Sequence, residues 1–118
     1  MIQDSSLGAG TPIRQRGAAP MVWVNGRRVS ADAPHVSALD RGFTLADGVF
    51  ETMRVYDGHA FRLDAHIRRL SAAVSALGIP LPTEMGNVVR QAVFEAGASG
   101  IRDASVRLTV SRGVGSPG

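Results

Sequence analysis

The chain contains no cysteine and no lysine, and aromatic residues make up only 5% of it. Without cysteine, neither a disulfide framework nor a thiolate zinc site can form, and a reducing cytoplasmic setting is the expectation. No apolar run approaches the roughly 18 residues of a membrane span. The first twenty residues also lack the apolar stretch of a secretory signal, so a soluble protein without a membrane partner is expected. All thirteen basic residues are arginine, a bias that fits a genome rich in arginine codons. Arginine also grips phosphate, but here it is scattered among ten acidic residues and forms no continuous basic stripe, which argues against nucleic acid as a partner. No nucleophile elbow, Walker loop or dinucleotide fingerprint occurs. His35, His59 and His66 have no cysteine or close acidic partner at ligand spacing, so no metal site is expected and each reads as a surface residue of a loop or helix.

What is present fits one domain, since 118 residues with 44% hydrophobic content can bury a modest core but not two. Residues 1–20, rich in Gly, Ser, Pro and Ala without hydrophobic period, read as a flexible extension. The fold then starts at Met21. Asn25-Gly26 between Val22–Val24 and Arg27–Ser30 predicts a small hairpin. The stretch "ADAPHVSALDRGFTLAD" reads as a surface loop. In "VFETMRVY" the alternation separates Val49, Glu51, Met53 and Val55 from Phe50, Thr52, Arg54 and Tyr56, the two faces of a strand. Asp57-Gly58 signals a second tight turn, with "HAFRL" returning as the partner strand.

Asp64 as N-cap and Gly78 as stop predict a helix over about 64–78, with Ile67, Leu70, Val74 and Leu77 as its apolar stripe. Thr83 can cap a second helix to about residue 97, with Met85, Val88, Val89, Ala92 and Ala96 on one face. Phe94 falls opposite that stripe, on a surface suited to being covered by something outside this chain. A last strand is expected over about 104–112, with Val106, Leu108 and Val110 inward. The fold class is therefore α+β, antiparallel hairpins packed by two helices.

At 100° per residue, the adjacent arginines of the first helix are not equivalent. Arg68 falls with Ser71 and Ser75 on the polar side, whereas Arg69 falls with His66, Ala73 and Ala76. A guanidinium over small side chains needs an anion. Two readings stand: a structural ion pair, to Asp40 or Asp47, or a bound phosphate or carboxylate.

In order along the chain, "VNGRRV", "LDRGF", "ADGVFET", "VYDG", "FRLDAHIRRL" and "VRLTVSRG" are spread over Val22 to Gly113, which is most of the chain. This series resembles the N-terminal small domain of the class IV aminotransferases, the fold-type IV pyridoxal-phosphate enzymes. That group includes branched-chain and D-amino-acid aminotransferases, R-selective amine transaminases and aminodeoxychorismate lyase. The resemblance implies a cofactor, pyridoxal 5′-phosphate, whose phosphate is bound by the arginine of the H-x-x-R-L motif, here Arg69. It implies that Phe50, in "GVFE", stands beside the substrate side chain and that Arg107 meets a substrate carboxylate. It further implies amino-acid and 2-oxo-acid substrates and a homodimer. The family's cofactor is joined to a lysine of a second, larger domain, and this chain has none. No catalytic residue is therefore expected in it. Residues 21–118 would be the small domain of a longer transaminase; aminodeoxychorismate lyase and a non-catalytic, truncated interaction domain are the alternatives.

Overall fold

A computed structural model describes residues 1–4, 20–82 and 84–116. Strand β1 (Ile2–Asp4) is followed by the hairpin β2 (Val22–Val24) and β3 (Arg27–Val29), helix α1 (Arg41–Leu45), and strands β4 (Gly48–Tyr56) and β5 (His59–Ala60). Helices α2 (Leu63–Ala76) and α3 (Met85–Ala98) and strand β6 (Ala104–Ser111) complete the order. The main sheet is antiparallel, in the order β1-β6-β4-β5, and β2-β3 is a separate two-stranded ribbon. This is the α+β architecture that the sequence pattern predicts.

Both hairpin turns form as expected. Asn25 and Gly26, and likewise Asp57 and Gly58, take the left-handed conformation that a two-residue turn requires. The alternation in β4 is realised: Glu51, Met53 and Val55 are buried while Phe50, Thr52 and Tyr56 are exposed. β6 matches it with Ala104, Val106 and Val110 buried. The inner face of β4 and β6 packs Met53, Val55, Ala104 and Val106 against Leu63 of α2 and Val89, Ala92, Val93 and Ala96 of α3. A second cluster joins Leu70 and Val74 of α2 to Ile79, Met85 and Val110. Ile67 and Leu108 pack against both clusters and make the core continuous.

Gly48 is dictated by that sheet. A Cβ there would lie 2.6 Å from the carbonyl oxygen of Val110, so only glycine lets β4 start this close to β6. Helix α2 ends in a Schellman arrangement: Gly78 N–H donates to Ser75 O at 3.0 Å and Ile79 N–H to Val74 O at 3.0 Å, with Gly78 at φ +68°. This turns the chain so that Ile79 enters the core.

Several expectations need correction. Leu77, expected in the apolar stripe of α2, is instead its C-cap and is exposed, because the chain turns there and Ile79 takes the core position. Helix α2 also starts earlier than the Asp64 cap implies. Its N-cap is Arg62 in left-handed conformation without a side-chain bond, and Asp64 lies inside the first turn, where its charge still favours the helix dipole. The partner strand of the second hairpin is only β5, because the chain turns at Phe61-Arg62 into the helix instead of continuing through "HAFRL". The surface loop before β4 contains α1, capped by the Asp40 carboxylate, which accepts from Gly42 N–H at 2.8 Å. Within the extension expected over residues 1–20, Ile2–Asp4 pair with Ala104–Val106 of β6; residues 5–19 lie outside the described residues, as does the expected helix cap Thr83.

The packing predicts a sharp contrast between two sites. Leu70→Ala, at a fully buried position, should destabilise the protein by about 2–5 kcal/mol. Phe94→Ala, at a position 72% exposed, should change stability by less than about 0.5 kcal/mol. Urea unfolding of both variants checks this, and comparable losses would mean that Phe94 is covered.

Candidate functional site

Helix α2 crosses the inner face of β4, and at their contact stands a charged group. Glu51 is 7% exposed, and it is the buried acid on a face otherwise carrying Val49, Met53 and Val55. A carboxylate in such a place costs several kcal/mol unless its oxygens are satisfied. Here they are satisfied from one helix. His66 Nδ1 lies 2.7 Å from Glu51 Oε1, and Arg69 donates from Nε at 3.2 Å and from an Nη at 3.0 Å to Glu51 Oε2. The spacing of three residues puts both partners on one side of α2, over one strand position. These bonds, that of His66 foremost, hold the Glu51 carboxyl below its ordinary range against the opposing effect of burial.

Arg69 thus makes a structural ion pair, but its partner is neither Asp40 nor Asp47. Asp40 caps α1 and accepts from Ser111 Oγ at 3.1 Å. Asp47 is taken by Arg112, at 2.5 Å from Nε and 3.2 Å from an Nη, while the same guanidinium donates to Leu77 O at 2.8 Å. Nor is His66 a plain surface residue, since its ring is half-buried against Glu51. Even so, the Arg69 side chain is 78% exposed. Its other terminal nitrogen, Nη1, has no partner among the described residues. The arrangement offers an oriented guanidinium edge to an anion in solvent.

Phe50 and Arg107 meet on the opposite, open face of the sheet. Phe50 faces Thr109 and Thr52 faces Arg107 in the β4–β6 register, which makes Phe50 and Arg107 diagonal neighbours. The Arg107 guanidinium stacks over the Phe50 ring at 3.9 Å from its centroid. Both are exposed, beside Thr52 and Thr109. A cation, an aromatic ring and two hydroxyls make a surface able to receive a carboxylate with an apolar side chain. The structure thus brings Phe50 and Arg107 together and leaves Arg69 behind the strand that carries Phe50.

Arg41 is a further organising residue that the pattern did not single out. It donates to the carbonyl oxygens of Arg112, Gly113 and Val114, at 3.1, 3.1 and 3.4 Å, and so ties α1 to the segment after β6.

A family model described as amino-transferase class IV matches residues 48–118. The aminodeoxychorismate lyase of Bacillus subtilis is 36% identical over 100 residues, which cover 83% of this chain and 34% of that protein. The D-alanine aminotransferase of Bacillus licheniformis is 35% identical over 92 residues, 78% of this chain and 32% of that protein. Among solved structures, a hypothetical aminotransferase from Mycobacterium tuberculosis in its PLP-bound form superposes with a TM-score of 0.70 at 31% identity, over 78% of this chain and 33% of that one. The chain spans about a third of the length of the curated relatives it matches.

The Asp47–Arg112 pair sets a pH dependence. The hydrogen bond from Arg112, with the charges of Arg112 and Arg41, holds the Asp47 carboxyl below its ordinary value. Its folded pKa is depressed, so its stabilising effect is complete above the unfolded value of about 3.9 and fades as pH falls through the folded one. Asp47→Asn should lower stability near neutrality and flatten the loss of stability below about pH 4. Urea midpoints between pH 3 and 7 report it; parallel curves for the two proteins would show that the pair is not formed.

Proposed function

The chain belongs to the class IV aminotransferases, a pyridoxal-phosphate-dependent family, and we propose that the intact protein transfers amino groups from an amino acid to a 2-oxo acid with that cofactor. The observation that carries the reading is the presentation of Arg69: its guanidinium is braced from behind by Glu51 and open in front. That donor set fits a phosphate dianion, which a planar guanidinium binds through paired N–H groups. Arg69 would hold one side of the phosphate. Phe50 and Arg107 would line the substrate side, the ring against the substrate side chain and the guanidinium toward its carboxylate. Bound pyridoxal phosphate supplies the electron sink for cleavage at the substrate Cα.

Residues 21–118 serve, in this reading, as the small domain, and the lysine that carries the family's cofactor comes from a larger domain, since these 118 residues contain none. The assembly is a homodimer on the family resemblance, in the reducing cytoplasmic setting that a cysteine-free sequence suits, and sedimentation of the intact protein should return twice the chain mass. A lyase that releases pyruvate from aminodeoxychorismate is the second reading, favoured by the 36% identity to the Bacillus subtilis enzyme.

The intact protein, loaded with pyridoxal 5′-phosphate, should pass amino groups to a 2-oxo acid; pyruvate release from aminodeoxychorismate without amino transfer would instead select the lyase. Arg69→Ala should remove a charge-assisted contact of roughly 1.5–3 kcal/mol and weaken cofactor affinity about 10- to 150-fold. Arg68→Ala, at an exposed position with no partner among the described residues, should change it little. Equal losses in the two variants would remove Arg69 from the phosphate site.

A further inference from the structure

The bond pattern around Glu51 carries more than the stability of the core. Both Arg69 bonds end on one oxygen, Oε2, and both come from the Nε side of the guanidinium. The other oxygen, Oε1, is held by His66 at 2.7 Å. The two partners thus divide the carboxylate, and the carboxylate in turn can hold the guanidinium in only one orientation. An end-on pair through both terminal nitrogens would have consumed Nη1; this side-on pair leaves it open. The rest of the Arg69 side chain projects to solvent, where an unbraced arginine would sample many rotamers at a cost of up to about 2 kcal/mol on being fixed.

An apolar side chain at position 51 would continue the face formed by Val49, Met53 and Val55 and would avoid the cost of a buried charge. The fold alone therefore gives no reason for an acid here. We propose that Glu51 is a positioning residue for Arg69, fixing the guanidinium with Nη1 outward to receive the cofactor phosphate, and that His66 locks Glu51 in turn. The inference rests on the phosphate role of Arg69 proposed above. Glu51 itself does not touch the phosphate; it removes in advance the rotamer freedom that binding would otherwise have to suppress.

The test is a double-mutant cycle read by binding rather than turnover. Apo-protein of the intact wild type, Glu51→Gln, Arg69→Ala and the double variant is titrated with pyridoxal 5′-phosphate and, separately, with pyridoxal, which lacks the phosphate. Glu51→Gln should weaken pyridoxal-phosphate binding about tenfold, or 1.4 kcal/mol, and leave pyridoxal binding within about twofold of wild type. In the Arg69→Ala background the same substitution should have no further effect, because the group it orients is gone. Should the amide variant fail to fold, Glu51→Asp, which keeps the charge but withdraws it by one methylene, should show the same phosphate-selective loss at smaller size. Three outcomes overturn the inference: an unchanged pyridoxal-phosphate affinity in the position-51 variant, an equal loss for both ligands, or a full additional loss in the double variant. If Arg69→Ala alone leaves pyridoxal-phosphate affinity intact, the phosphate role of Arg69 fails and this inference goes with it, a pattern distinct from failure at position 51 alone.

Discussion

The pairing of β4 with β6 is the contact on which the other elements depend. Its register runs from Gly48 opposite Ser111 to Val55 opposite Ala104, and it sorts every side chain of the two strands onto one of two faces. One face presents Met53, Val55, Ala104, Val106 and Val110 to the helices and supplies most of the sheet's share of the core. The other presents Phe50, Thr52, Arg107 and Thr109 to solvent. A slip of one residue would exchange these sets, burying Phe50 and Arg107 and exposing the core. The absence of a Cβ at Gly48 and the ties of Asp40, Arg41 and Asp47 to residues 111–114 hold the register at the end nearest the candidate site.

α2 lies on the inner face, and Arg69 reaches solvent on that side of β4 with a long side chain anchored at Glu51 and exposed beyond it. The site therefore has two halves separated by the thickness of a strand, with Glu51 and Phe50 as consecutive residues pointing opposite ways. On the proposed roles, phosphate recognition behind β4 and substrate recognition in front of it would be related through one backbone segment. That relation matters for a cofactor held at one end and reacting at the other, where misplacement by about 1 Å is costly.

Much of this was legible from residue patterns. The two tight turns, the faces of β4 and β6 and the stripe of α2 as far as Val74 follow from Asn-Gly, Asp-Gly and periods of two and 3.6, signals that tertiary context did not override, whereas Leu77 falls past the helix end and is exposed. The phase of the α2 stripe also separated Arg69 from Arg68. The partner of Arg69 was harder to read, because a helical wheel tells which way a side chain points and not which strand residue lies beneath it. The signal was nonetheless present, as Glu51 stands in the inward set of an alternating strand, a place where a charge must have partners. β1 and α1 were illegible for a different reason. Three residues are too few to show alternation and five too few to show a helical period, and what holds them is the edge of β6 in one case and the Asp40 cap in the other. The start of α2 was misplaced because Arg62 caps it through backbone conformation alone, without the side-chain chemistry by which caps are recognised.

The absence of lysine acquires a structural meaning once the arginines are located. Arg41 spans three successive carbonyl oxygens. Arg112 joins the Asp47 carboxylate to the carbonyl of Leu77 at the end of α2. Arg102 binds both the side chain and the carbonyl of Asp57 in the second hairpin turn, and Arg69 grips one oxygen of Glu51 with two nitrogens. Each contact uses several donors in a fixed planar fork, and Arg41, Arg102 and Arg112 each address two or more backbone or carboxylate groups at once. An ammonium has three donors around a point and cannot reach along a plane in this way. Whatever produced the arginine bias in the sequence, the fold has come to rely on it: exchanging Arg41 or Arg112 for lysine would keep the charge and lose the bridge between segments far apart in the chain.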